Sequence, residues 1–130
     1  MDDVQVPDLD IDKGVYTARG RHMSPASRLE RRIVASLIAH LERKGFAVAS
    51  VYDGEEETKI YTAKDAMELI FNLDEASLRF WDISASPSRP HGVLLVVGNG
   101  EDIISDWNYS TGDPDGFNAA MEAFEVPEVR

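Results

Sequence analysis

The chain has 130 residues, no cysteine and a net charge of −11, and 43% of its residues are hydrophobic. That length suits one domain with a core of its own, and the missing thiols exclude disulfides, thiolate zinc sites, iron–sulfur clusters and a cysteine nucleophile. Residues 23–52 carry two acids against five bases, whereas residues 53–130 carry seventeen acids against five bases, a field that repels nucleic acid and favours basic partners.

The opening Met1-Asp2-Asp3 is acidic and no apolar signal region follows it. No apolar run is long enough to span a bilayer, so a cytoplasmic protein without membrane contact is expected. Residues 1–22 read as an acidic N-terminal tail or arm ahead of a single α+β domain over 23–130. Asp8, Asp10 and Asp12 alternate as in a calcium loop. Lys13 and Arg19, however, stand where such a loop needs its glycine and its bidentate glutamate, so no calcium site is expected.

The stretch "SPASRLERRIVASLIAHLERKG" is a helix. Ser24 suits the N-cap and Pro25 the first turn. Leu29, Ile33, Leu37 and Leu41 recur every four residues beside Val34 and Ile38, and Gly45 closes the element. Phe46–Tyr52 is rich in β-formers, Asp53-Gly54 is a turn, and Thr58–Tyr61 returns as a short strand. Thr62 to Asp65 resembles a capping box, opening a helix with Ala66, Leu69 and Ile70 on its buried face. Leu78–Ile83 is the next strand and Ser84–His91 a loop. Val93–Val97, apolar on both faces, is expected to be the central strand. Asp113-Pro114 then caps a last helix carrying Phe117, Met121 and Phe124.

The segment "VVGNGEDII" poses a choice between a phosphate-cradling loop and a hairpin turn. A dinucleotide loop needs a third glycine where Ile103 stands, and "EDIISDW" has a strand pattern rather than a helical one. Asn99-Gly100 between strands predicts a hairpin, both residues being able to adopt positive φ.

His22, His40 and His91 lie in separate contexts without metal-ligand spacing, and no nucleophile elbow is present. The run Asp53, Glu55, Glu56, Glu57 could supply oxygen ligands together with Asp82 or Asp106, but consecutive glutamates in a turn normally face water. No metal and no cofactor is therefore expected. Arg28, Arg31 and Arg32 form the sole basic patch, for which an internal salt-bridge role is the expectation.

With "YDGEEET" and "VVGNGEDIISDWN" in this order around a capped helix, residues 28–108 resemble small uncharacterised proteins of proteobacterial genomes, phages and plasmids. The resemblance implies a compact α+β domain and a mobile-element origin, and it carries no catalytic residues over.

The expected fold is an α+β domain, an antiparallel sheet of about four strands with helices mainly on one face. The expected function is a non-enzymatic acidic interaction or inhibitor protein that binds a basic protein partner. Its contacts would be Asp53, Glu55, Glu56, Glu57, Glu101, Asp102, Trp107 and Tyr109. A homodimer is allowed for. Two alternatives stand beside it: a small enzyme or ligand-binding domain using Asp106, Trp107 and Tyr109 of the 106–116 loop, and a nucleic-acid binder acting through the first helix.

Overall fold

A computed structural model of the chain describes residues 25–83, 90–108 and 113–127. The first helix, α1 (Pro25–Arg43), buries Ile33, Val34, Leu37, Ile38 and Leu41 and ends at Gly45, whose φ of +95° suits a residue without Cβ. Strands β1 (Phe46–Tyr52) and β2 (Glu57–Lys59) form a hairpin. Asp53 Oδ1 holds its turn by accepting the Glu55 and Glu56 amides at 2.8 Å each. Helix α2 (Ala63–Ile70) is capped as expected, the Thr62 hydroxyl accepting the Asp65 amide at 3.1 Å. It buries Ala66, Met67 and Ile70, leaving Leu69 half-buried, so the apolar stripe is rotated by one residue from the predicted one.

Strands β3 (Glu75–Asp82), β4 (Pro90–Val96) and β5 (Ile104–Asn108) complete the sheet, and α3 (Phe117–Glu122) follows. The Asp113 carboxylate caps α3, accepting the Asn118 and Ala119 amides at 2.9 and 3.0 Å. Strand β4 begins at Pro90, so His91 lies in the sheet and not in the predicted loop.

Among the described residues the sheet has five strands in the order β2-β1-β3-β4-β5, each pair antiparallel. The central strand is thus β3 and not the more apolar Val93–Val97. Strand β3 alternates, with Ala76, Leu78, Phe80 and Asp82 buried and Glu75, Ser77, Arg79 and Trp81 on the other side. This is the pattern of a sheet covered on one face. Bulges at Ala49 in β1 and Ser105 in β5 shift the pairing by one residue. The second places Ile104 and Trp107 on the same face, against the simple alternation read from the sequence.

The three described helices join the core on one face. Helix α1 packs on β1 and α2, and α2 on β1 and β3. From α3, the fully buried Phe117 meets the Phe46 ring edge-on at 5.2 Å and stacks on His91 at 4.6 Å. His91 also lies 3.2 Å from the Asp115 carboxylate, both side chains being buried. His40 ties the far end of α1 to α3 through the Ala120 carbonyl at 2.7 Å.

The β4–β5 connection is a hairpin, but a longer one than Asn99-Gly100 suggests, and it holds one turn of 3₁₀ helix at Gly100–Asp102. Asn99 has φ −92°, contrary to expectation. The positive values belong to Gly98 (+108°) and Gly100 (+62°). The cause is Glu30 of α1, only 1% exposed, whose Oε2 accepts the Gly98 and Gly100 amides at 2.7 Å each. Two amides two residues apart converge on one oxygen only when the backbone curls around it, and glycine permits that curl. The loop is an anion cradle after all, filled by the protein's own carboxylate. Gly100→Val is therefore expected to cost about 2 kcal/mol, since a β-branched residue is strained in this region; urea denaturation measures it, and an unchanged midpoint would contradict the assigned geometry.

Candidate functional site

The antiparallel register carries the 53–56 turn, the start of β3 and the 97–103 turn to the same end of the sheet, since Tyr52 pairs with Ser77 and Glu75 with Val96. Asp53, Glu55, Glu56 and Glu57 therefore share an end with Glu101 and Asp102, and Asp74 and Glu75 lie between the two groups. All eight are exposed. Strands β1 and β5 are three interstrand spacings apart, about 14 Å, so these acids span one continuous rim. The backbone amides bonded to Asp53 lower its pKa below the usual carboxylate range, those of Glu56 and Glu55 foremost, and keep it charged in mild acid.

Beside this rim, the face of the sheet opposite the described helices is hollowed. Across four strands the register sets Tyr52, Ser77, Leu94 and Asp106 in one row, and Ser50, Arg79, Gly92 and Asn108 in the next. Ser77 of β3 and Gly92 of β4, diagonal neighbours in these rows, thus lie low among Tyr52, Arg79, Asp106 and Asn108, leaving a depression of about 350 Å³. One wall is the Arg79 guanidinium, laid over the Tyr52 ring at 4.7 Å and 3.6 Å from Glu57, which also accepts the Ser50 hydroxyl. Opposite stand Asp106 and Asn108, and Glu75, Asp53 and Gly54 close the end nearest the rim.

Gly92 is integral to this floor. Its amide donates to Asn108 Oδ1 at 3.0 Å, and a Cβ there would come within 2.9 Å of that oxygen and 3.0 Å of the Ser77 hydroxyl. With Glu57 offsetting Arg79, the lining keeps the charge of Asp53, Glu75 and Asp106.

The other predicted residues fall as follows. Trp107 borders the depression, yet it is half-buried and its indole N–H donates to Asn118 of α3 at 2.9 Å, a structural tie. Tyr109 and His22 lie outside the described residues, as do the N-terminal arm and Ser24. Asp82 is buried at the opposite end of β3 from the Asp53–Glu57 turn, so those carboxylates do not converge. Among the described residues no three His, Asp or Glu side chains are grouped to hold a metal ion. In the basic patch, Arg31 packs its guanidinium over the Phe71 ring at 4.6 Å, and burial lowers its pKa. Sequence reasoning missed Glu75, Ser77, Arg79, Gly92 and Leu94, because only the strand register brings them together.

These features define an α+β protein whose antiparallel sheet carries its helices on one face and offers an acid-rimmed hollow on the other. Compared with protein-family models, curated proteins and solved structures, the chain has no match. Among the described residues no helix is long and apolar enough to cross a membrane.

Proposed function

We propose that the protein is a non-enzymatic interaction module whose acidic sheet end engages a basic protein partner. The observation that carries this reading is the convergence of two acidic turns, Asp53–Glu57 and Glu101–Asp102, far apart in sequence, on one rim with Glu75 between them. Solvated charges on a rigid frame steer a partner of opposite sign without disturbing the core. The resemblance to small phage and plasmid proteins accords with an inhibitor or adaptor of mobile-element origin. A nucleic-acid role for α1 has less support, because Arg31 is half-buried against Phe71.

Changing Glu55, Glu56 and Glu57 together to Gln is expected to leave the melting temperature within about 2 °C. It should slow association with the basic partner captured from cell extract and flatten its salt dependence, because rim charges act mainly on encounter. Association kinetics at two salt concentrations test this; unchanged, salt-independent binding by the triple variant overturns the reading.

A further inference from the structure

We infer that the hollow on the sheet face opposite the described helices is a socket for a single arginine or lysine side chain, the anchor of the basic partner. This deepens the interaction reading and rests on it. The argument begins with shape. Ser77 and Gly92, diagonal neighbours in the middle of the sheet, leave a recess of about 350 Å³ flanked by Tyr52 and Arg79 on one side and Asp106 and Asn108 on the other. That is at the small end of ligand-site volumes and suits one extended side chain better than a whole peptide turn.

Chemistry gives the occupant its sign. Leu94 on the floor offers apolar contact for an aliphatic stem, and such stems lie along apolar surface while their heads stay polar. Acceptors ring the floor: the Asp106, Glu75 and Asp53 carboxylates and the Ser77 hydroxyl. Asn108 turns its one carbonyl oxygen to the Gly92 amide, whereas Asp53 and Asp106 each give only Oδ1 to backbone amides and keep a second carboxylate oxygen to receive the cation. Arg79, the one cation among the described lining residues, is stacked on Tyr52 beside Glu57 and forms a wall. An anionic occupant would face three carboxylates against that single engaged guanidinium.

The socket predicts binding without the rest of the partner. Isotope-labelled full-length protein titrated with Nα-acetyl-arginine amide should show saturable amide shifts at residues 77, 92–94 and 106–108. The neutral isostere Nα-acetyl-norleucine amide should not reproduce them. The double change Glu75→Gln with Asp106→Asn should weaken the arginine probe about tenfold, the scale of two exposed charge pairs. Ser77→Lys should abolish binding by filling the hollow with the protein's own ammonium, and its retained spectrum elsewhere reports that the sheet is folded. Equal binding of the neutral probe, or shifts confined to residues 55–57 and 101–102, would overturn the socket. The double change Glu55→Gln with Glu56→Gln, which leaves the Glu57–Arg79 pair intact, separates the two readings: it should keep probe binding while losing fast association. If probe binding persists in it and association is unchanged, the steering rim fails and the socket stands.

Discussion

Replacing Glu30 by alanine is expected to lower stability by about 3–4 kcal/mol, a fall in melting temperature on the order of 10–15 °C. The carboxylate is buried and receives the amides of Gly98 and Gly100 at 2.7 Å each. Truncation leaves both donors without that acceptor on the side facing α1 and opens a void under α1 as well. Glu30→Gln keeps the volume and one acceptor oxygen, so its cost should be smaller, about 1–2 kcal/mol. Urea unfolding of the three proteins gives the comparison. An alanine variant within about 1 kcal/mol of the parent would mean that the turn does not depend on the carboxylate.

Phe117→Ala is expected to cost about 3–5 kcal/mol, the range for an aromatic ring removed from a closed core. Phe117 is fully buried and is the contact point of a short helix, touching Phe46, Phe80 and His91 at once. Helix α3 has six residues, too few to persist without tertiary contacts, so losing the ring should release the whole element. Phe117→Leu retains most of the volume and should cost less than about 2 kcal/mol. Hydrogen exchange over residues 117–122 distinguishes local release from global loss: protection there should fall further than protection in β3. Equal loss in both would mean that α3 and the sheet unfold as one unit.

Where local chemistry determines the structure, the sequence announces it. The four-residue recurrence from Ile33 to Leu41, the Thr62 cap, the Asp113 cap and the terminal Gly45 all appear where they were expected. Strand boundaries and sheet order were harder to read, because they depend on neighbours. The double-sided apolarity of β4 suggested a centre, yet half-buried Leu94 owes its character to the floor of the hollow. The bulge at Ser105 left no mark in the pattern of Ile103 to Asn108. Glu30 did carry a signal that went unread: it precedes Val34, Leu37 and Leu41 by four, seven and eleven residues, a lone acid on the buried stripe. The acidic turns were visible one at a time, and their meeting on one rim is a product of topology. The hollow is written in no segment, since Ser77, Gly92 and Asp106 become neighbours only through register.

The bond between Glu30 and the glycine turn also bears on the order in which the chain folds. It joins residues 68 and 70 positions apart, so closing it means confining more than half of the polypeptide in one loop. The turn that receives the carboxylate takes shape only when β4 and β5 have paired, which sets this contact late on the route to the native state. Substitutions at Glu30 should accordingly leave the refolding rate nearly unchanged and act on escape from the native state, steepening loss of structure at a given urea concentration. A helix that begins the described chain is thus fastened last, and its fastening governs how long the assembled protein holds together.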